Sequence, residues 1–596
     1  MVSETKICQN CKNQFTIEPD DFTFYEKIKA PPPTWCPRCR MMRKLITAHG
    51  RTLYKVKCSA PGHSEEIISK YSSGSGRKVY DYEYWLSDQW SPLDYGREYD
   101  FRKPFFEQFR ELLFSVPWRN LNVINSVNCD YCPSATDSKN CYLVTGAYFS
   151  ENCMYSNTPA LSRDCVDSSI LIFCDTLYES FSCIKCFNLK FATYCVECMD
   201  SSFLYDCRNC INCFGCVGLR NKRYHILNKP YSKREYEAEV AKMDLGNLEA
   251  LEEAKRKFDS LVAVSPRKYM ISKNAVNCTG DNIENAKNCR FSFEIRDGAE
   301  NCKYILLGGR RVKDSYDVFA SGEQCELLYE SSAIRCQNTL FSNGIYDSFN
   351  VQYSNTCRSS SNLFGCVGLT KKEYCILNRR YSKDEYDKLV PEIIAHMNEM
   401  PYVGQREIVY KYGEFFPPEF SPYAYNETLA QEYFPLSQEE AIRYQFGWIE
   451  ASQKEYENAI DREQIALHIR EVGDDVSLKV IRCAHRGACN HHCPGAFRVV
   501  REELKFYRRI NVSIPRLCPN CRHSVRTEGK RLYELWPRQC MCEGINGRNA
   551  DSKAVYKNAV SHFHGEAHCP NTFETSYAPE RPEVVYCEEC YNKEII

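Results

Sequence analysis

The chain has 596 residues, enough for several domains, and its 77 Lys and Arg almost balance its 78 Asp and Glu, for a formal net charge of -1. This balance excludes a protein whose whole surface is basic and binds polyanions. No stretch approaches the roughly 18 apolar residues of a membrane span, and no apolar signal segment precedes Cys8, so we expect a cytoplasmic protein without membrane contact. The 37 cysteines then predict metal sites rather than disulfides, because many form Cys-x-x-Cys pairs.

The chain begins with a predicted zinc ribbon over residues 1–57. Its two knuckles are Cys8-x2-Cys11 and Cys36-x2-Cys39, a spacing at which four thiolates can surround zinc tetrahedrally. The residues between the knuckles that can form a small apolar core are Phe15, Ile17, Phe24, Tyr25 and Ile28.

The segment from Cys8 to Lys44 resembles the "probable zinc-ribbon" family, whose pattern is Cys-x2-Cys, a Phe-x-Phe/Tyr core and Cys-Pro-x-Cys-Arg followed by basic residues. The whole chain resembles a group of long bacterial Cys-rich proteins with such ribbons. The phrases that carry this resemblance are Phe-Gly-Cys-Val-Gly-Leu at 214–219 and 364–369, Lys-Tyr-Gly-Glu-Phe-Phe-Pro-Pro at 411–418 and Tyr-Ala-Pro-Glu-Arg-Pro-Glu at 577–583. The resemblance implies zinc-binding ribbons and implies no particular activity.

A second, degenerate ribbon is predicted over residues 58–97. In its frame stand Cys58, His63, Asp81 and Tyr84, and the resembling proteins carry cysteines in place of the last three. Cys58, His63 and Asp81 can all ligate zinc, so one interpretation is a weak metal site. The other is a ribbon that has lost its metal and kept its fold, because Tyr84 cannot replace a thiolate ligand.

A helical connector over 98–122 leads to a region with a regular period. The connector's apolar helical stripe consists of Phe105, Phe106, Phe109, Leu112 and Leu113. From there Asn-Cys or Asp-Cys recurs at a constant interval, at 128–129, 140–141, 152–153 and 164–165. Short β-prone runs with such regular cysteines predict a parallel β-helix module over 123–231, in which two successive intervals make one coil. A stacked antiparallel meander is the alternative.

This module is duplicated, since residues 214–219 recur at 364–369 and the match extends along both copies. We therefore predict a second β-helix module over 269–381. Ser232-x-x-Glu235 and Ser382-x-x-Glu385 are capping boxes, which predict helices near 232–262 and 382–399 in a helical cap (232–268) and a helical connector (382–480). The connector also carries predicted helices near 437–455 and 461–471.

The densest thiol cluster is Cys207, Cys210, Cys213 and Cys216, which invites an iron–sulfur, a zinc or a purely structural interpretation. The second module keeps only Cys357 and Cys366 of the corresponding four, and free cysteine is among the most often buried residues. A buried thiol ladder is therefore the favoured interpretation.

The C-terminal end repeats the N-terminal ribbons. A shift of 482 residues places Cys493, Cys518 and Cys521 on Cys11, Cys36 and Cys39, and Cys489 is then the predicted fourth ligand of a ribbon over 481–539. A last ribbon over 540–596 uses Cys569, Cys587 and Cys590, completed by Cys540 or Cys542. The total is about three zinc ions. The residues left over, which form another site or line the loops, are Cys483, His485, His562, His564, His568 and the unused thiol of the last ribbon.

Basic residues follow directly on the knuckles of both ends. The window 498–538 holds 11 Lys and Arg against 4 Asp and Glu, and the window 16–56 holds 8 against 4. Such rigid basic surfaces can contact phosphates, or can simply be solvated. The predicted nucleic-acid contacts are Arg38, Arg40, Arg43, Lys44, Arg522, Arg526, Lys530 and Arg531.

These features predict a multi-domain, mainly β protein in which zinc ribbons at both ends flank two tandem parallel β-helix modules with helical caps and connectors. We expect a non-enzymatic zinc-binding scaffold or adaptor whose ribbons contact RNA, DNA or a nucleic-acid–protein complex. The alternatives are a scaffold that binds proteins alone and, by analogy of fold only, a carbohydrate-active β-helix enzyme. Four-ligand zinc sites are closed, which favours a structural role over a catalytic one.

Overall fold

The computed structural model describes residues 2–450, 456–528, 533–543 and 556–595. The chain is multi-domain and mainly β: small modules at both ends flank two large arrays of parallel strands. We name these parts by their residues: module 1 (4–45), module 2 (54–95), the first array (122–230), the second array (272–380), module 3 (481–527) and module 4 (536–595).

Modules 1 and 3 have the same construction. In module 1 the antiparallel strands Glu4–Ile7 and Gln14–Ile17 precede the helices Pro19–Lys27 and Pro37–Leu45. In module 3 the corresponding elements are Ile481–Arg482, Ala496–Phe497, Arg501–Ile510 and Pro519–Thr527. A cysteine occupies the N-cap of the last helix in both, and a proline takes the first helical position, where its missing N–H costs no hydrogen bond.

Modules 2 and 4 each contribute a short strand that pairs with the strand preceding an array in the chain. Module 2 consists of Tyr54–Lys57, Glu66–Ser69, Val79–Tyr80 and helix Tyr82–Leu86, with 3-10 turns at Ser73–Ser75 and Pro92–Tyr95. Module 4 consists of Trp536–Gln539, Thr572–Thr575, Val585–Tyr586 and helix Glu588–Ile595. Val79–Tyr80 pairs in parallel with Trp118–Arg119, and Val585–Tyr586 pairs in parallel with Arg267–Lys268.

The first array follows the helix Phe105–Ser115 and consists of parallel strands. Asn157 pairs with Ser169, and Ser169 pairs with Phe181, so each strand lies beside the one that follows a single interval of the repeat later. The antiparallel alternative is therefore wrong, and so is the predicted coil of two intervals, which is twice the observed offset. The strands are Asn122–Ile124, Ser134–Thr136, Thr145–Tyr148, Asn157–Ala160, Ser169–Ile172, Asp175–Tyr178, Phe181–Ile184, Phe187–Thr193, Met199–Tyr205, Ile211–Val217, Arg223–Ile226 and the antiparallel end strand Lys229–Pro230.

The Asn-Cys repeat has two separate physical causes. Asn128, Asn140 and Asn152 all adopt φ 54°, a left-handed conformation that asparagine tolerates better than most residues. Their side chains stack, since the amide of Asn128 donates to Asn140 (2.9 Å) and that of Asn140 donates to Asn152 (3.1 Å). The cysteine after each corner turns into the interior, where Cys141 and Cys153 are buried.

The second array has the same parallel character with a less regular offset, since Glu326 pairs with Gln337 whereas Tyr316 pairs with Tyr329. Seven of its strands pair in a closed ring. The ring closes because each of the two longest strands, Gly280–Lys287 and Cys325–Ile334, pairs with two other strands of the ring. The strands of the array are Ser272–Val276, Gly280–Lys287, Ser292–Ile295, Ala299–Glu300, Lys303–Leu306, Val312–Lys313, Tyr316–Phe319, Cys325–Ile334, Gln337–Leu340, Asn343–Tyr346, Phe349–Gln352, Ser361–Phe364, Glu373–Ile376 and Arg379–Arg380.

Both array interiors are lined with thiols. Cys153, Cys165 and the densest cluster are fully buried among Leu, Val and Ala side chains, so the predicted inward packing is confirmed. None of the 37 cysteines, all of which lie in the described part of the chain, forms a disulfide. The four thiols of the densest cluster are Cys207, Cys210, Cys213 and Cys216.

Helices follow both arrays, and both predicted capping boxes form. Ser232 accepts from the N–H of Glu235 at the start of Lys233–Ala241, and Ser382 does the same at the start of Lys383–Glu399. The helix predicted near 232–262 is interrupted: the first helix ends at Ala241, and a second helix spans Leu248–Val264.

The connector holds less helix than predicted. Of the segment 437–455 only Gln438–Arg443 is helical, and residues 451–455 lie outside the described part. The helix predicted near 461–471 is wrong, because the guanidinium of Arg516 donates to the carbonyls of Ile465 and Ala466, which an α-helix would use itself. The remaining connector elements are strands Tyr402–Val403 and Val409–Tyr410, helix Leu429–Tyr433 and 3-10 turns Gln405–Glu407, Pro418–Phe420, Tyr425–Glu427, Arg462–Gln464, Ile469–Glu471 and Asp474–Leu478.

The two arrays contact each other. The amide of Asn282 donates to the hydroxyl of Ser182 (2.7 Å), and Tyr148 donates to Glu323 (3.0 Å). Ile170 and Phe181 of the first array pack with Ile271 beside these polar contacts. Across the described ranges, no helix has the length and apolar character needed to cross a bilayer.

Candidate metal centres

Three groups of four cysteines lie in modules 1, 3 and 4. In each group the four sulfur atoms are within 4.8 Å of one another, and most of the side chains are buried. Zinc–thiolate bonds of about 2.3 Å place tetrahedral sulfurs about 3.8 Å apart. Measured sulfur–sulfur distances are 3.8 Å for Cys11 and Cys36, 3.8 Å for Cys493 and Cys518, and 3.7 Å for Cys569 and Cys590. The three groups therefore fit a tetrahedral metal. Their members are Cys8, Cys11, Cys36 and Cys39; Cys483, Cys493, Cys518 and Cys521; and Cys540, Cys569, Cys587 and Cys590.

The same backbone contact organises all three groups. The N–H at the start of each second knuckle donates to the first sulfur of its group: Cys36 to Cys8 at 3.2 Å, Cys518 to Cys483 at 3.2 Å, and Cys587 to Cys540 at 3.1 Å. Such hydrogen bonds favour the thiolate form, which is the form that ligates metal.

The electrostatics of the groups favour thiolates at several positions. Hydrogen bonds from Cys36 and Cys39 hold the pKa of Cys8 far below its ordinary value, and Cys518 and Cys521 do the same to the pKa of Cys483. A hydrogen bond from Cys39 lowers the pKa of Cys11 to about 6. The groups of modules 1 and 3 therefore each hold at least one thiol that ionises readily.

The ligand sets differ from the sequence prediction at one position and resolve another. Cys483, rather than Cys489, completes the group in module 3. The loop from Cys483 to Cys493 is longer than the corresponding loop from Cys8 to Cys11 in module 1, so the spacing did not reveal Cys483. Cys489 lies 3.7 Å from Cys521 in an adjacent group. In module 4 the completing thiol is Cys540, and Cys542 also lies in an adjacent group.

Module 2 retains the fold of module 4 with other side chains. The N–H of Asp81 donates to the sulfur of Cys58 at 3.3 Å, the contact that Cys587 makes with Cys540 in module 4. The carboxylate of Asp81 caps its helix by accepting from the N–H of Glu83 (2.9 Å). Module 2 therefore keeps the backbone contact of module 4 although the matching position holds Asp81 in place of Cys587.

The remaining predicted metal ligand of module 2 has other partners. The ring of His63 lies 2.7 Å from a carboxylate oxygen of Glu65 and packs edge-to-face on the buried Tyr84, with ring centroids 4.9 Å apart. An aromatic contact therefore stands where module 4 has thiols.

The predicted nucleic-acid contacts of module 1 are mostly inside the protein, which corrects that assignment. Arg40 is 1% exposed and pairs with Asp317 of the second array at 2.9 Å. Arg43 is equally buried and pairs with Glu330 (2.8 Å) and Glu414 (2.9 Å). The guanidinium groups of Arg40 and Arg43 therefore form buried ion pairs with carboxylates of the same chain.

Burial and aromatic contacts explain the other two members. Lys44 is 1% exposed, its ammonium lies 4.8 Å from the ring centroid of Phe415, and burial lowers its pKa to about 8. Arg38 is exposed and lies over the ring of Phe434 at 5.0 Å. Of the module 1 contacts, Arg38 alone keeps the predicted solvent-facing position.

Module 3 corrects the prediction in the same way. Arg522 has a side chain 2% exposed and pairs with Asp167 of the first array (3.3 Å) and with Glu503 (3.1 Å). Arg526, 7% exposed, lies 3.7 Å from Asp167. The last two predicted contacts, Lys530 and Arg531, lie outside the described residues.

These ion pairs show a crossed arrangement. Arg40 and Arg522 occupy matching places in the two repeated modules, and their partners Asp317 and Asp167 occupy matching places in the two arrays. Module 1 therefore docks on the second array and module 3 on the first. Sequence reasoning missed both carboxylates, although their matching places in the two copies were a readable signal.

Comparison with known proteins adds little to these observations. No protein-family model matches the chain, and no curated protein matches it. One matching solved structure is a "putative acetyltransferase" from Desulfovibrio desulfuricans G20, with 10% identity over 49% of this chain and 77% of that chain. Its TM-score of 0.09 is too low to bear on the fold or the function.

Proposed function

We propose that the chain is a non-enzymatic zinc-binding scaffold, in which modules 1, 3 and 4 are zinc ribbons and the two arrays are parallel β-helices. The resemblance of residues 8–44 to zinc ribbons and the spacing of the buried thiols support the metal assignment. Zinc suits four thiolates in a closed tetrahedron, and a closed site leaves no position for substrate. The constant offset between parallel strands of the first array supports the β-helix assignment.

The observation that carries the proposal is the link between each knuckle and an array. Cys39 precedes Arg40 on the helix Pro37–Leu45, and Cys521 precedes Arg522 on Pro519–Thr527. The metal holds the start of each helix, and the next residue inserts a guanidinium into the opposite array. Metal binding would thus stabilise the arrangement of the whole chain, as structural zinc does in smaller domains.

Protein is the partner class that this arrangement supports best. Among the described basic residues that predicted phosphate contact, Arg40, Arg43 and Arg522 are buried in ion pairs, so they are not available to nucleic acid. Long stacked arrays present extended surfaces, which repeat proteins use to hold other proteins.

Metal analysis of the purified protein, followed by chelation, tests this proposal. We expect at least about three zinc ions per chain, and removal of zinc should open the chain to limited proteolysis between modules and arrays. Fewer than two zinc ions, or a chelated protein that remains as protease-resistant as the native one, would contradict the scaffold. Binding of RNA or DNA that weakens steeply with salt would instead restore the nucleic-acid role.

A further inference from the structure

In modules 3 and 4 the last knuckle thiol belongs to two donor groups at once. Cys521 lies with the three other thiols of its ribbon, and Cys590 does so in module 4. Each also lies within 4.8 Å of a second set of donors on the other side. These second sets are His485, Cys489 and His491 in module 3, and Cys542, His562 and His564 in module 4.

The two double groups match in composition and in position. Each contains five cysteines and two histidines in total. In each, one extra donor stands two residues after the first knuckle thiol: His485 after Cys483, and Cys542 after Cys540. A chance cluster would not be expected to repeat both features in two modules that diverge elsewhere.

The histidines of module 4 are held as metal ligands usually are. His562 is 6% exposed, and its Nε2 lies 3.1 Å from the buried carboxylate of Glu594. Its buried Nδ1 has no hydrogen-bond partner among the described residues. His564 Nδ1 donates to the carbonyl of Ala567 (2.6 Å), which leaves Nε2 3.4 Å from the sulfur of Cys590. A carboxylate or carbonyl on one ring nitrogen orients the other toward a metal.

Module 3 shows the same features. His485 and His491 both bury an Nδ1 atom that no group in the described part of the chain bonds. Their rings approach with centroids 5.4 Å apart, and Nε2 of His491 faces a carboxylate oxygen of Glu528 at 3.6 Å. The sulfur of Cys489 lies 3.7 Å from that of Cys521, the separation expected for two ligands of one zinc ion.

Modules 1 and 2 provide the internal comparison. Two residues after the first knuckle thiol of module 1 stands Asn10, whose amide donates to the sulfur of Cys39 at 3.2 Å. The last thiol thus receives a hydrogen bond where modules 3 and 4 offer a second donor set. In module 2 the same position is the buried Ala60.

We propose that modules 3 and 4 each hold two zinc ions that share one thiolate, Cys521 in module 3 and Cys590 in module 4. The first ion of each pair has four thiolates, and the second has two thiolates and two imidazoles. Two bonds of about 2.3 Å at the shared sulfur place the ions about 3.8 Å apart. Five thiolates with two Zn2+ carry a formal charge of about -1, less than the roughly -2 of a four-thiolate site. The inference deepens the zinc-binding part of the proposed function and rests on it.

Zinc content separates this inference from the simpler scaffold. The fully loaded protein should contain about five zinc ions per chain: one in module 1 and two each in modules 3 and 4. Cys542→Asn and His485→Asn give modules 4 and 3 the Asn of module 1, and each should remove one ion. His568→Asn is the matched control, because His568 is exposed and outside both groups. About three ions in a folded, fully loaded chain would overturn the inference and leave the scaffold standing, whereas fewer than two would overturn both.

Sharing of the thiolate has its own test. Cys590→Ser should remove both ions of module 4, and Cys542→Asn only one. Cobalt(II) substitution gives a readout that does not depend on count, because a shared sulfur couples the two cobalt spins and weakens their magnetic resonance signal. Cys542→Asn should restore the signal of a single uncoupled ion in module 4. Full, uncoupled signals from all bound cobalt would contradict a shared ligand even if the count were five.

Discussion

Removing the guanidinium of Arg522 should weaken the docking of module 3 on the first array. Nε of Arg522 lies 3.3 Å from Asp167 and Nη1 lies 3.1 Å from Glu503. Nη1 also donates to the hydroxyl of Tyr507 (2.9 Å), and the group lies over the ring of Tyr155 at 4.9 Å. Arg522→Met keeps much of the side-chain volume and removes all these polar contacts at once.

The expected cost follows from what stays buried. Asp167 and Glu503 have fully buried side chains, and loss of one partner of a buried ion pair costs roughly 3–5 kcal/mol. Arg526 remains near Asp167, and Tyr155 still donates to Glu503 at 2.9 Å, so we expect the lower end, about 3 kcal/mol. Arg522→Glu would add a third carboxylate to this cluster and should be worse.

Urea unfolding in zinc-containing buffer, followed by circular dichroism, measures the effect. Arg509→Met is the matched control. Arg509 also pairs with the first array, through Asp164 at 2.9 Å, but its side chain is 51% exposed. The Arg509→Met substitution should therefore lower the free energy of unfolding by at most about 1 kcal/mol. Adding Glu503→Gln to Arg522→Met should recover part of the loss, because one unpaired carboxylate is removed. An Arg522→Met protein as stable as the Arg509→Met control would refute the buried ion pair. If Arg522→Glu were stable and lost binding to RNA, the surface would be a working one.

Three further outcomes follow from the described contacts. Arg40→Met should destabilise the chain by a similar amount, about 3 kcal/mol, because its pair with the buried Asp317 is 2.9 Å long; equal urea midpoints for variant and wild type would contradict this. Cys153 should resist alkylation in the native protein and react after unfolding, and Cys153→Ala should cost about 1 kcal/mol without loss of zinc; rapid native labelling would show an exposed thiol instead. Burial, with a smaller effect of Lys70, lowers the pKa of His49 from 6.5 to about 3. Below pH 6.5 the imidazole of His49 therefore binds a proton in the unfolded chain but stays neutral in the folded chain. From pH 7 to pH 5 the free energy of unfolding should therefore fall by about 2 kcal/mol more in the wild type than in His49→Leu. Thermal midpoints of both proteins at both pH values measure this difference, and parallel pH profiles would exclude a contribution from His49.

Sequence reasoning succeeded where the signal was local or repeated. The knuckle cysteines brought together in module 1 are those predicted, because ligand spacing within one small module fixes the geometry. One constant shift in numbering found the related modules at the far end, and a second, shorter shift found the second array. Cys489 was predicted as the fourth thiol of the first group in module 3 because it lies near Cys493 in the sequence, whereas the structure places the more distant Cys483 there and Cys489 in the adjacent group.

The period of the arrays shows a limit of pattern reading. The interval between successive Asn-Cys corners is compatible with one short coil or with half of a coil twice as long. The short coil requires left-handed corners at frequent intervals, and these fall on Ile170 (φ 57°) and Phe173 (φ 55°) as well as on Asn152. Residue type alone does not mark Ile or Phe as corners, because β-branched and bulky residues rarely adopt this conformation.

The fate of the basic residues shows another limit. A cluster such as Arg40 and Arg43 next to a knuckle has the same sequence whether it faces solvent or a carboxylate. Its partners, Asp317 and Glu330, lie in the second array, far along the chain, and apart from the recurrence of Asp167 as Asp317 the sequence does not connect them with these arginines. Only the three-dimensional structure shows which charges are satisfied within the chain.

The crossed docking makes the two halves of the chain depend on each other. Asp167 of the first array is buried by Arg522 of the C-terminal module 3, and Asp317 of the second array by Arg40 of the N-terminal module 1. If each module docked on its nearer array, either half could satisfy its buried charges alone. Because the partners are exchanged, neither half alone contains both members of either Arg–Asp pair, so each half has an array without the module that docks on it. The exchange of docking partners thus links the two repeated units into one structure, and the helices that carry the arginines start at the cysteine groups of modules 1 and 3.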